Sequence, residues 1–303
     1  MLTRQQQGAG VRFVLACLVG GGLAVCLAAG WDLLAGARLL LDFIRPVSPG
    51  GRIDYPATFY ARAFMAGAAG VACGALCLRR LRVAHNQGLD ASSLRRDYAE
   101  GLWLLVLVAL GFGFLQYLRE RVGGLEPWQA VFMEDGLLEW AQVGLFAVAM
   151  ALCAAAARRH LARGGPWWAA AWLGLLAAGL CFVTMEEISW GQRILGWETG
   201  PSMQALNYQG EANVHNLLSR GGLNMAYTVL AGLLSGGLLG QAVLAPMLER
   251  SKNLRLLLPP GAWLFLAVFF PVVAPLDELM ENVLAVLALA YAVRVFRAAR
   301  AGS

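Results

Sequence analysis

The sequence predicts an all-α, polytopic integral membrane helix bundle, on the strength of three observations. Of the 303 residues, 59% are hydrophobic and only 14% are charged, against roughly 25% charged residues in a soluble domain. The apolar residues form blocks near the roughly 17–25 residues that a helix needs to span a bilayer. Arginine is concentrated in alternate segments between these blocks. A soluble, disordered or nucleic-acid-binding protein is excluded, because the net charge of +5 is dispersed and forms no basic face.

About eight apolar blocks, each bounded by charged residues, Pro or Gly, are the predicted transmembrane helices. In chain order they cover residues 11–31, 55–78, 101–118, 134–156, 166–186, 224–247, 255–275 and 276–298. The seventh block is the least regular, because Pro259 and Pro260 open it and Pro271 and Pro275 close it, and proline interrupts helical hydrogen bonding. Two alternatives stay open for this block, a short or kinked crossing helix and a re-entrant pair.

The distribution of charge predicts the topology, because short loops rich in Lys and Arg stay in the cytoplasm. One set of alternate segments, which includes both termini, carries 16 of the 24 basic residues. The opposite side, with its helix ends, carries 15 of the 19 carboxylates. We therefore expect both termini in the cytoplasm and the acidic helix ends at the periplasmic face of a bacterial inner membrane.

One transmembrane domain covering 1–303 is expected, because no segment between the spans is long enough to fold alone. The exported segment 187–223 is the most unusual connection, since most connections between helices are short. It is rich in aromatic, amide and acidic side chains. We expect it to fold back over the outer mouth of the bundle as one or two interfacial helices.

Carboxylates at the start of the fourth and eighth predicted helices are candidates for chemistry. Asp135 and Asp277 lie at helix starts, where the helix dipole favours an acid, so capping is the alternative to a functional role for both. Glu139 and Glu281 each follow four residues later, on the same helix face and about 6 Å deeper. Like charges at this spacing repel, so a cation or an arginine is needed to neutralise them.

A second acidic pair, Glu186 and Glu187, ends the fifth predicted helix. The helix dipole disfavours an acid at this end, so capping does not explain the pair. Arg193 follows in the same string and could pair with either glutamate or bind an anionic substrate group bidentately.

The exported segment also contains Glu211 and His215, four residues apart. On a helix this spacing places both side chains on one face, where they can share an ion or form a carboxylate–imidazole pair. Histidine suits both proton transfer near neutral pH and metal ligation.

These groups together predict a divalent metal ion, because so many carboxylates in a partly dry site need compensation. Oxygen ligands suit Mg²⁺, Mn²⁺ or Ca²⁺, and one histidine among carboxylates also permits Zn²⁺. The sequence has no His-Glu-x-x-His or Gly-x-Ser-x-Gly motif. The predicted metal ligands are Glu186, Glu211, His215, Glu139, Glu281, Asp135 and Asp277.

A long string in this region resembles a family of uncharacterised bacterial polytopic membrane proteins. It comprises Glu-Glu-Ile-Ser-Trp-Gly-Gln-Arg at 186–193, Gly-Trp-Glu-Thr at 196–199 and Asn-Tyr-Gln-Gly-Glu-Ala-Asn-Val-His-Asn at 207–216. The resemblance covers about one tenth of the chain and implies no activity. The seven-span ceramidase-like zinc hydrolases have a His-x-x-x-His pair, which this sequence lacks.

The leading hypothesis is a metal-dependent hydrolase or transferase that acts on a membrane lipid or lipid-linked substrate. In it, Glu187 is the general base, Arg193 holds an anionic headgroup and His215 binds the ion beside the reacting water. The alternatives are an ion- or proton-coupled transporter, in which the same acids bind the coupling ion, and a structural or assembly subunit.

Overall fold

The computed structural model describes most of the chain and is entirely helical where it has regular structure. It describes residues 4–36, 39–40, 56–122, 124–126, 128–132, 136–207, 210–214, 217–248, 250–274 and 277–301. The helices are α1 (Arg4–Ala35), α2 (Pro56–Asn86), α3 (Ser92–Val122), α4 (Gln129–Phe132), α5 (Leu137–Ala162), α6 (Trp167–Glu187), α7 (Gln192–Leu195), α8 (Pro201–Leu206), α9 (Arg220–Leu248), α10 (Lys252–Leu257), α11 (Leu266–Val273) and α12 (Asp277–Ala301). Two 3-10 helices cover Ser189–Gly191 and Gly261–Phe265.

Seven helices in the described part are long and apolar enough to span a membrane, which confirms the prediction of a multi-pass, all-helical membrane protein. Most side chains in these segments are not buried inside the protein, as expected where apolar side chains face lipid. The spanning segments are Ala9–Ala35, Ala57–Asn86, Ser92–Arg119, Leu137–Ala162, Trp167–Glu187, Gly221–Leu248 and Met280–Arg300.

The seventh predicted block, 255–275, does not form one long helix. Its longest apolar helical stretch is Gly261–Val273, which begins as a 3-10 helix after Pro260 and contains Pro271. Proline lacks the amide hydrogen that helical bonding requires, so this segment is shorter than the roughly 20 residues of a regular span.

The chain divides into two compact units. Unit 1 contains Met1–Leu110, Asn224–Ala245 and Pro260–Pro275, and unit 2 contains Gly111–Leu223, Pro246–Pro259 and Leu276–Ser303. The expectation of one domain over 1–303 stays a prediction.

In unit 1, α1 packs closely against α2 through small residues. A Cβ atom at Gly74 would lie 2.7 Å from the carbonyl oxygen of Leu15, and one at Gly67 would lie 2.7 Å from that of Gly22. Small residues bring helix backbones together where burial from water supplies no driving force. One buried apolar cluster of the unit consists of Leu15, Ala69, Cys73, Cys77, Leu81, Tyr98, Leu264, Phe265 and Ala267.

We expect Gly74→Val to lower the stability of the protein by about 1–3 kcal/mol, because overpacking forces the two backbones apart. Thermal unfolding of the purified protein in detergent measures the effect. Gly20→Val is the matched control, since a Cβ at Gly20 has nothing within 4 Å. An equal loss in both variants would contradict close packing as the cause.

In unit 2, α5 packs against both α6 and α12. The buried face of α5 is polar only at Gln142 and continues through Phe146, Ala149, Cys153 and Ala156. These positions recur every three or four residues, the spacing of one helix face. The packing brings the start of α5, the end of α6 and the start of α12 to the same end of the unit.

The opposite end of unit 2 is tied together by arginines that donate to backbone carbonyls. Arg163 donates to Arg300 O at 2.9 Å, and Arg294 donates to Arg255 O at 2.9 Å and Leu256 O at 3.1 Å. Arginine satisfies carbonyls that a helix end leaves without partners. The segment that contains α10 therefore lies at the C-terminal end of α12.

Candidate carboxylate site

The predicted acids of unit 2 lie at the end of the unit where α5 and α12 begin and α6 ends. Glu139 is in the first turn of α5, and Glu187 is the last residue of α6. Glu281 is the fifth residue of α12. The three side chains are close enough to interact electrostatically, so three helices of one unit bring three glutamates together.

A left-handed turn follows α6 and reverses the chain towards the site. Ser189 and Trp190 have φ values of 48° and 54°, and Gly191 has a φ of 92°. This left-handed conformation costs a residue with a Cβ atom roughly 1–2 kcal/mol of free energy, so surrounding contacts must hold the turn. Trp190 supplies two of them, a hydrogen bond to Glu186 and an edge contact with the Phe182 ring at 5.8 Å.

Glu186 anchors the 187–223 segment to the end of α6. Its side chain is only 5% exposed. One carboxylate oxygen accepts the indole N–H of Trp190 at 2.5 Å, and the other accepts the backbone N–H of Val214 at 2.7 Å. Because each oxygen receives a protein donor, Glu186 fixes two distant parts of the segment at one point.

Arg193 neutralises two of the predicted acids. Its guanidinium forms an ion pair with Glu139 and another with Glu211, the latter at 3.2 Å. The Glu211 carboxylate also accepts the Ser189 hydroxyl at 2.7 Å and the Asn213 amide at 2.9 Å. Of the two compensations expected for Glu139, a cation or an arginine, the described residues supply the arginine.

Side-chain amides complete the framework of the segment. Gln192 Oε1 accepts the Thr199 hydroxyl at 3.1 Å and the Ala212 backbone N–H at 3.0 Å. Asn207 donates to both oxygens of Asn213 at 2.9 Å. The amide groups thus hold the described part of the segment as a folded layer.

Glu187 and Glu281 are linked through one amide, that of Gln142. Gln142 donates to Glu281 Oε2 at 3.3 Å and hydrogen-bonds Glu187 as well. Gln142 is 1% exposed, so its position is fixed by packing. Glu187 and Glu281 also interact directly through their charges. Two carboxyl groups from different helices therefore share one rigid polar bridge.

The structure brings together six of the nine predicted site residues. Asp135 and His215 lie outside the described residues, and the Asp277 side chain is not described, so their predicted roles stay predictions. In the described ranges, no group of three or more His, Cys, Asp or Glu side chains is arranged to hold a metal ion. The residues that the structure unites are Glu139, Glu186, Glu187, Arg193, Glu211 and Glu281.

Sequence reasoning missed Gln142 and Ser189 as site residues. A signal for Gln142 was present, because an amide three residues after Glu139 falls on the same face of an otherwise apolar helix. Ser189 carried no comparable signal. The family resemblance of the 186–216 string stays a prediction. Comparison with protein-family models, with curated proteins and with solved structures finds no match for this chain.

Proposed function

We propose that this protein is a membrane-embedded hydrolase or transferase that acts on a lipid or lipid-linked substrate at the periplasmic face of a bacterial inner membrane. The observation that supports it is the carboxyl pair of Glu187 and Glu281, bridged by Gln142. A glutamate in a spanning helix has a high free-energy cost of desolvation, so such a residue usually marks a functional site. Their position near the ends of α6 and α12 puts them within reach of lipid headgroups.

A carboxyl pair can supply both partners of acid–base catalysis. In this proposal, Glu187 takes a proton from water as the water oxygen bonds to the carbonyl carbon or phosphorus of the substrate. Glu281 gives a proton to the leaving oxygen as its bond to that atom breaks. Gln142 positions both carboxyl groups, and in a transferase an acceptor hydroxyl takes the place of water.

The folded segment acts as the rigid wall of this site. Arg193 already pairs with Glu139 and Glu211, so we assign it first to positioning these two acids. Its predicted contact with an anionic headgroup stays a prediction. A preorganised wall matters because a displacement of about 1 Å in an active site can cost roughly 10²-fold in rate.

A divalent ion remains part of the proposal, held by Glu139 together with His215, Asp135 and Asp277, so that Glu281 is free to carry the proton. Metal analysis of the detergent-purified protein tests it. We expect one ion per chain in the wild type and in Glu126→Gln, whose carboxylate is exposed, and none in the His215→Ala/Glu139→Gln double variant. Protein that carries no ion after Mg²⁺, Mn²⁺, Ca²⁺ and Zn²⁺ have each been supplied would contradict metal dependence but leave acid–base catalysis by the pair intact.

We also propose eight crossings with both termini in the cytoplasm. Within unit 2, Tyr291 and Arg294 of α12 bind carbonyls of 255–258, and α12 begins at Asp277. The chain must therefore travel about 21 Å, the rise of 14 helical residues, between residues 258 and 277. Phosphatase and fluorescent-protein fusions after Leu258 and after Ser303 test this topology, and a cytoplasmic reporter at Leu258 with a periplasmic reporter at Ser303 would contradict it.

Product analysis of lipids tests the function. The wild type, Glu187→Gln and the control Glu126→Gln are each reconstituted into liposomes of bacterial polar lipids and incubated with a total bacterial lipid extract. Mass spectrometry should detect a lipid species that the wild type and the control convert and that Glu187→Gln does not. Identical lipid profiles for all three would contradict the enzyme.

The second candidate is a proton-coupled transporter, and one observation favours it: Glu187 and Glu281 lie on two different spanning helices. A proton shared between such groups can couple binding to movement of helices. Proteoliposomes with an imposed pH gradient and an internal pH dye distinguish the two. A gradient that collapses faster with the wild type than with Glu187→Gln, without any lipid product, would favour transport.

A further inference from the structure

Unit 1 contains a buried arginine, Arg62, inside the spanning segment of α2. Arg62 is 7% exposed. Its Nη1 donates to Asn224 Oδ1 at 3.0 Å and to Thr228 Oγ1 at 3.1 Å. The same Asn224 oxygen accepts the Thr58 hydroxyl at 2.6 Å. The arginine therefore lies between α2 and α9, in a cluster of small polar side chains.

The charge of Arg62 has no anionic partner in the described part of the chain. Both of its hydrogen bonds go to neutral oxygens and both come from Nη1, so Nε and Nη2 have no partner among the described residues. Asp32, a buried carboxylate of the same unit, is engaged elsewhere by the Leu39 and Leu40 backbone amides. A buried cation is costly unless an anion compensates it.

The surroundings of Arg62 add to its positive potential. Arg62 is seven residues into α2, and Asn224 is five residues into α9, so the N-terminal ends of both helices face this region. Helix N-termini carry partial positive charge and favour anions. The guanidinium edge formed by Nε and Nη2, which has no partner in the described ranges, has the fork geometry that binds two oxygens of a phosphate or carboxylate.

The depth of Arg62 in the membrane indicates which anion it can bind. The spanning segment Ala57–Asn86 has 30 residues, or about 45 Å, which matches the hydrocarbon core plus both headgroup layers. Arg62 lies about 9 Å from the start of α2. Arg62 is thus just inside the hydrocarbon boundary, from which a long, charged side chain reaches the headgroup layer with its lipid phosphates.

We propose that Arg62 is the centre of a phosphate-binding site in unit 1, separate from the carboxylate site of unit 2. The guanidinium edge binds two phosphate oxygens, and the hydroxyl groups of Thr58 and Thr228 with the Asn224 amide hold the arginine in place. The phosphate is carried by a lipid headgroup or arrives as the free ion. This site does not depend on the proposed reaction, because none of its residues belongs to the carboxylate pair.

Thermal unfolding of the full-length protein in an uncharged detergent tests the site. The probes are dihexanoyl phosphatidylglycerol and inorganic phosphate, each titrated against the wild type, Arg62→Gln and the control Arg82→Gln, whose side chain is exposed on the same helix. We expect the wild type and the control to be stabilised by at least one probe. The apparent affinity should fall by about tenfold or more in Arg62→Gln, the loss of a charge-assisted pair.

The two probes distinguish the sources of the phosphate. Stabilisation by both means that the free ion suffices, and stabilisation by the lipid alone assigns the site to a headgroup. The same response in Arg62→Gln as in the wild type, or no response of the wild type to either probe, would overturn the proposal. Should Arg62→Gln fail to fold, Arg62→Lys retains the charge but loses the fork, and unchanged affinity in that variant would overturn it too.

Discussion

Turnover of the Glu281→Gln variant should fall as far as that of Glu187→Gln, by about 10²–10⁴-fold, the usual contribution of an acid or base. The Glu187→Gln/Glu281→Gln double variant should fall no further than the worse single variant. The reason is that both carboxyl groups serve one transition state and are held by one amide, Gln142. Residues that act as a unit give losses that do not add. The rate of product formation in the liposome assay measures all three values.

Two controls show whether the loss of turnover is specific to the carboxyl pair. Glu126→Gln removes an exposed carboxylate of the same unit and should retain the wild-type rate. Thermal unfolding of each variant shows whether the loss is catalytic, since Gln has nearly the size of Glu and should leave packing intact. Losses in the two single variants that multiply in the double variant would show that Glu187 and Glu281 act in separate steps.

The sequence predicted the helical membrane architecture well because hydropathy acts over whole segments. Seven blocks became span-length helices, since each has enough apolar residues to cover the hydrocarbon core. The exception, 255–275, was the block with prolines at both ends, and its broken form follows from the missing amide hydrogens of proline. Composition therefore sufficed for the fold class.

The sequence predicted which residues belong to the candidate site better than it predicted the contacts between them. The repulsion between like charges predicted that Glu139 needs an arginine or a cation, and Arg193 is the partner although it lies 54 residues away in the sequence. That Gln142 would bridge Glu187 and Glu281 depends on how α5, α6 and α12 pack. Side-chain contacts between three helices cannot be read from the spacing within each helix.

The turn at Ser189 and Trp190 could not be predicted from the sequence, because of the backbone conformation of these two residues. Residues other than glycine rarely adopt positive φ, so the sequence alone favours extended or helical backbone at both positions. The contacts of Trp190 with Glu186 and of Ser189 with Glu211 hold the turn. The first contact is local, but the second joins residues 22 apart in the sequence and forms only after folding, which is why strained backbone of this kind is found by observation.

Replacement of Arg193 with leucine should destabilise the protein by about 3 kcal/mol, the lower end of the range for breaking a buried ion pair. The lower end applies because the side chains of Arg193 and Glu211 are 14% and 24% exposed. The loss leaves Glu139 and Glu211 charged and close to each other without a cation. Thermal unfolding in detergent measures the loss, and Arg297→Leu, which removes an exposed arginine of the same unit, should have little effect.

A triple variant separates the effect of charge from that of packing. Arg193→Leu with Glu139→Gln and Glu211→Gln removes the cation together with both anions, and the neutral amides can still hydrogen-bond each other and Ser189. If unpaired charge is what destabilises Arg193→Leu, the triple variant should recover most of the lost stability, because replacing a whole ionic group is often nearly neutral. A triple variant as unstable as the single one would mean that the guanidinium itself, through its shape and its donors, holds the 187–223 segment against α5.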